Sequence, residues 1–267
     1  MEGGYILNSF SILFKFYLRY WTVYFILIPI GIIFFNLPFD ISTFLKGMFL
    51  GKAYCAEWWY VIKYIEFLIL LPFLQISFDY VDKKIKNKNF PIYILCVLLT
   101  TGILVEFYIN LDILKQRQYE LTFVCSYIIG RYNLYERLYQ HNHLNNKLLC
   151  ILGFIGTLIC RGAIVSQSSP GGYYDCIFVV ILVYCFGCLC NQMSSRIGTV
   201  LSFFGKYSIY IWLVHPFFIY YYLRPLTNFT DVPIFIFGLT IAYSLMFSIV
   251  FGMLERWINR LLYKFHK

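Results

Sequence analysis

Charge is scarce in this sequence. Asp, Glu, Lys and Arg make up 13% of its 267 residues, whereas soluble domains carry roughly a quarter. Polar stretches long enough to form a soluble domain are also absent, so 1–267 reads as a single membrane domain. The small charge complement leans positive, +9 net. Its basic residues sit in short clusters between apolar runs and form no patch interleaved with aromatics, which argues against a nucleic-acid partner. The chain has no internal repeat, no Gly-rich phosphate loop and no Gly-x-Ser-x-Gly nucleophile motif. Around Glu2 it lacks the basic start and small-residue cleavage site of a secretory signal, so the first span is expected to drive insertion. Nine cysteines are present. Most fall in apolar runs, where the thiol behaves as a small hydrophobe. Cys185, Cys188 and Cys190 have a partly zinc-like spacing, but no loop frames them and no histidine is near. Neither a metal nor a disulfide is expected. His141 and His143 read as members of a solvated loop.

Apolar residues, 60% of the chain, are present in abundance. They gather into eight runs at about 20–37, 58–76, 90–110, 119–134, 148–166, 173–193, 200–222 and 233–254. A bilayer core of about 30 Å needs about 20 helical residues. The fold class is therefore all-α: a polytopic helical membrane protein with about eight transmembrane helices. The fourth run is the shortest, opening at Glu120 and running into Arg131. With the N-terminus inside, only Lys46, Lys52, Lys115, Arg117 and Arg224 fall in outer segments, and Lys63 and Arg161 lie within spans. The other fifteen of the 22 Lys and Arg residues are inside. This bias sets both termini on the cytoplasmic side, N-in and C-in. Tyr20, Trp21 and Trp257 then fall at inner edges, and Trp58, Trp59 and Tyr220–Tyr222 at outer edges, as aromatic belts do. Leu254–Lys267 alternates apolar and basic residues, in the manner of a helix lying on anionic lipid or of a helix end with snorkelling basics.

Ionisable residues inside spans carry the functional signal, because each costs at least about 2.5–3.5 kcal/mol at the bilayer centre. They are Lys63, Glu66, Glu106, Arg161 and His215. At about 1.5 Å per residue, Glu66 lies about 12 Å below Trp58 and His215 about 10 Å below Tyr222, so all five fall in the outer half. One reading is a shared polar cavity opening outward, with Glu66, Arg161 and His215 lining it, Lys63 beside Glu66 and Glu106 at the rim. The other is structural: Lys63 and Glu66 neutralise each other, Glu106 and Arg161 pair or snorkel, and His215 bonds a carbonyl freed by Pro216. Of the five, histidine alone suits proton transfer near neutral pH.

The run Leu201-Ser-Phe-Phe-Gly-Lys-Tyr-Ser-Ile-Tyr-Ile-Trp-Leu-Val-His-Pro216 resembles the late-span signature of the bacterial acyltransferase 3 family, membrane enzymes that O-acylate surface carbohydrates. Trp59-Tyr-Val-Ile-Lys-Tyr-Ile-Glu-Phe-Leu-Ile-Leu-Leu-Pro-Phe73 is similar to the family's Trp-Tyr…Tyr…Pro span. Phe14-Lys-Phe-Tyr-Leu-Arg-Tyr-Trp21 is similar to the basic segment opening its third span. The resemblance implies transfer of an acyl group, usually from acetyl-CoA approached from the cytoplasm, to a carbohydrate hydroxyl. The setting it implies is the bacterial cytoplasmic membrane, in contact with its lipids. It assigns donor-phosphate contacts to Lys15 and Arg19, and the catalytic candidates among the ionisable residues are His215 and Glu66. Family members have about ten spans, with the reacting histidine and an arginine in the first. Gly4-Tyr5-Ile6 is similar to the end of the second span, so these first spans have no counterpart here and a separate polypeptide is a possible source of them. The alternatives are an inactive remnant, a non-catalytic subunit, or a transporter or flippase for lipid-linked sugars.

Overall fold

The computed structural model describes residues 2–87, 89–108, 118–141, 147–165, 174–192 and 194–265. Among them there is no strand, and most are helical. The helices are α1 (Glu2–Phe35), α2 (Ile41–Leu50), α3 (Trp59–Lys84), α4 (Phe90–Tyr108), α5 (Gln118–Arg131), α6 (Leu134–His141), α7 (Lys147–Val165), α8 (Tyr174–Gln192), α9 (Ser195–Ile219) and α10 (Pro233–Phe265). Six of these contain segments long and apolar enough to cross a membrane: Ser9–Phe35, Ala56–Lys84, Lys147–Ile164, Asp175–Gln192, Ser195–Ile219 and Pro233–Leu261. Large apolar side chains such as Phe34, Phe73, Ile69, Ile234 and Phe235 stand exposed along them. Such a surface is a liability in water and ordinary in lipid. The protein is a multi-pass helical membrane protein. Expected spans three and four correspond to α4 and the 14-residue α5. The remaining loop between them, 109–117, and the expected outer loop 166–173 lie outside the described residues.

Packing divides the chain into two compact units, Met1–Ser77 with Thr199–Lys267, and Phe78–Gly198. The first unit is built around aromatic side chains. Tyr20, Tyr24 and Leu27 of α1, Trp58 just before α3, and Leu213, Phe217 and Phe218 of α9 are all buried in its core, with Phe251 of α10. Trp58, fully buried, donates its indole N–H to the Leu213 carbonyl at 2.9 Å. That bond satisfies the one polar group that burying a tryptophan strands.

Two local features differ from the expected spans. The first helix starts at Glu2 and not near Tyr20, so Lys15 and Arg19 lie along it, near its middle. The expected outer loop at about 37–57 contains α2. Asp40 caps it, its carboxylate accepting from the Thr43 N–H (2.7 Å) and hydroxyl (2.8 Å). These bonds, the backbone one first, hold the fully exposed Asp40 carboxyl below its usual range. Gly51, at φ +78°, ends the helix in a conformation that favours glycine.

In the second unit, Arg131 at the end of α5 binds Asp79 (2.6 Å) and Asp82 (2.6 Å) at the end of α3, and Tyr132 donates to Asp82. Asn133, in the left-handed region at φ 49°, turns the chain from α5 into α6.

Candidate functional site

Proline at 216 determines the environment of His215. Without an N–H, Pro216 leaves the Trp212 carbonyl, one turn earlier, short of its helical donor. The His215 Nδ1 lies 2.8 Å from that oxygen and 3.3 Å from the Ile211 carbonyl. Carbonyl oxygens only accept, so Nδ1 carries a proton, and in the neutral ring the lone pair is on Nε2. His215 is half-buried. The bond to a carbonyl freed by the proline is therefore present, and it anchors the ring through Nδ1.

Arg19 and Lys15 are one turn apart on α1, and so on one face. Lys15 is exposed. Arg19 donates through Nε to Glu255 Oε1 at 3.0 Å, and Tyr210 donates to the other carboxylate oxygen at 2.8 Å. Glu255 is more enclosed than its partner, with side-chain exposures of 15% and 40%. The carboxylate is thus fixed by two donors, and it fixes the guanidinium through one of its three nitrogens. Tyr64, which packs on Phe16 at 4.3 Å between ring centres, stands near the same guanidinium.

The remaining sequence candidates make local pairs. Lys63 binds Glu66 within α3 at 2.8 Å, the mutual neutralisation considered above. Arg161 binds Asp175 through Nε and Nη2, at 2.8 and 3.2 Å, joining the end of α7 to the start of α8. Arg161 belongs to the second unit, Glu66 and His215 to the first. Glu106 falls on α4 at a position whose side chain lies outside the described structure.

Sequence reasoning missed a cluster just before α3. Tyr221 donates to Glu57 (2.8 Å) and accepts from the Ala56 N–H (2.8 Å), while the buried Cys55 thiol lies 3.4 Å from the same carboxylate. Burial first and Glu57 second push the Cys55 thiol well above its ordinary value. It stays protonated and is no nucleophile. Glu255 and Glu57 both face partners more than 160 residues away in the chain, and no local motif announces such pairs.

Among the described residues no group of three His, Cys, Asp or Glu side chains could hold a metal ion. No curated protein and no solved structure matches the chain. A family of acyltransferase domains does, over residues 3–253. That match runs from the start of α1 into α10, including Arg19 and the His215-Pro216 turn, and by it the chain belongs to the acyltransferase 3 family.

Proposed function

We propose that the protein transfers an acyl group, acetyl in the simplest case, from a cytoplasmic acyl-CoA to a hydroxyl of a cell-surface or lipid-linked carbohydrate in a bacterial cytoplasmic membrane. The observation that supports a chemical role for this chain is the His215 ring, held through Nδ1, which in the neutral ring puts the lone pair on Nε2. Nε2 takes the proton of the acceptor hydroxyl as its oxygen bonds to the thioester carbonyl carbon. The carbon–sulfur bond then breaks, and the CoA thiolate takes that proton back from the imidazolium. Lys15 and the two terminal nitrogens of Arg19 supply positive charge for the donor phosphates. Glu66, tied to Lys63, serves this reading as a neutralised partner in the same helix and carries no proton-transfer step.

The test is acyl transfer by the protein in lipid nanodiscs, using labelled acyl-CoA and a carbohydrate acceptor. A general base contributes roughly 10²–10⁴ in rate, so His215→Ala should cut transfer at least about a hundredfold while insertion and yield stay unchanged. Transfer at the wild-type rate would remove His215 from the mechanism.

A further inference from the structure

Four helices of the second unit surround a cavity of about 610 Å³ whose residues have no part in the proposed reaction. Its size is within the range of ligand sites. The walls are apolar side chains of α4, α5, α6 and α8, among them Ile92, Leu95 and Leu138. Ile92 and Leu138 are also exposed, so apolar surface continues from the cavity to the outside of the unit. Three polar side chains join the lining, Asn89, Tyr135 and Arg137. The Tyr135 hydroxyl donates to the Val180 carbonyl at 2.8 Å, which fixes that ring in the wall. Asn89 and Arg137 are exposed. An apolar cavity with a guanidinium and an amide in its lining suits a ligand that is apolar in one part and anionic in another.

Charge around the cavity leans to one sign. Asn89 follows Lys83, Lys84 and Lys86 and stands just before α4, whose first turn carries the positive end of the helix dipole. The carboxylates at the end of α3, Asp79 and Asp82, are both bound to Arg131 at 2.6 Å. Glu136, next to Arg137, lines a different groove, beside Val183 and Gly187 of α8. The expected topology puts this basic run on the cytoplasmic side. Basic pockets between membrane helices on that side bind anionic headgroups. We propose that the cavity seats one anionic phospholipid of the cytoplasmic leaflet. Its headgroup phosphate binds Arg137 and Asn89, and an acyl chain lies among Ile92, Leu95 and Leu138. All these residues belong to one packing unit, and the site is independent of the donor assignment above.

The full chain in detergent can be titrated with phosphatidylglycerol and with phosphatidylcholine of the same acyl chains, bound lipid being counted by native mass spectrometry. One Lys or Arg beside an anionic headgroup raises affinity about fivefold, so the wild type should prefer phosphatidylglycerol by that factor. Arg137→Gln should remove the preference and Arg137→Lys should keep it. Leu138→Trp, at an exposed position, fills the cavity and should weaken both lipids about tenfold, the loss of roughly two buried methylenes. Equal wild-type affinity for the two lipids would overturn the site, as would a preference that survives Arg137→Gln or lipid binding unchanged in Leu138→Trp. Loss of the preference in Arg137→Lys as well would make Arg137 a structural residue and sink the proposal. Displacement of bound phosphatidylglycerol by an equal concentration of glycerol 3-phosphate would make a free phosphate the ligand and remove the lipid.

Discussion

Arg19 has three nitrogens and Glu255 occupies one of them, so the direction in which the other two point is set by a carboxylate that Tyr210 holds still. This makes Glu255 a positioning residue for the proposed donor contact. Glu255→Ala should raise the KM for acyl-CoA about three- to tenfold with kcat little changed, the pattern of lost uniform binding. Glu255→Gln keeps an oxygen for the Arg19 Nε and should recover much of the loss. A purely structural pair would lower Tm in both variants and leave KM alone. The two halves of this site were not equally legible. His215 could be read from sequence with its structural bond in view, because Pro216 is its neighbour and the freed carbonyl is one turn back. Arg19 was visible as a charge, but its partner lies 236 residues away, and one sequence carries no signal for a contact of that range.

The long helices were legible because a window of about 20 apolar residues is a strong, local pattern. The 10-residue α2 was not, since it is too short for such a window, although Asp40 and Gly51 mark its ends. What holds it is long-range. Tyr24 donates to the Phe44 carbonyl (2.7 Å), Tyr20 to that of Gly47, Trp21 to that of Met48 (2.9 Å) and Tyr17 to that of Phe49 (2.8 Å). From Phe44 to Phe49 of α2 the partner on α1 moves back from Tyr24 to Tyr17, so α2 runs antiparallel along the middle of α1. The Met48 and Phe49 carbonyls are among the last four of the helix and have no partner within it, and ring donors of α1 fill that role. Residue 47 must be small: a Cβ there would lie 2.6 Å from the Tyr24 hydroxyl oxygen and 3.1 Å from its ring. Gly47→Ala should therefore destabilise the protein by about 1–3 kcal/mol, read as a lowered Tm in detergent. Tyr24→Phe removes the nearest contact, so the double variant should lose clearly less than the sum of the singles. Strict additivity would mean that α2 does not pack on Tyr24.

Across the first unit, helix directions are fixed by pairs of contacts. Tyr222 of the α9 exit binds the Leu27 carbonyl, and Tyr210 of α9 meets Glu255, the partner of Arg19, so α1 and α9 run parallel. Phe218 stacks on Tyr243 and Tyr210 on Phe251, so α9 and α10 run antiparallel. The Glu2 end of α1 and the Phe265 end of α10 consequently share one end of that unit, which supports an even number of crossings. In the second unit Arg131 ties the end of α5 to the end of α3, so α4 and α5 cross together or not at all. Six and eight crossings both satisfy these contacts, and the segment between α4 and α5 separates them. A cysteine at Lys115, in a background with the exposed Cys96 and Cys160 replaced by serine, should be modified from outside by a membrane-impermeant maleimide if there are eight. Cysteines at Lys86 and Ser168 serve as references. The first should react only after permeabilisation, because the basic run Lys83–Lys88 belongs inside, and the second from outside. Labelling at Lys115 only after permeabilisation would reduce the count to six, with α4 and α5 packed in the protein without crossing. Labelling at Lys86 from outside would reverse the orientation.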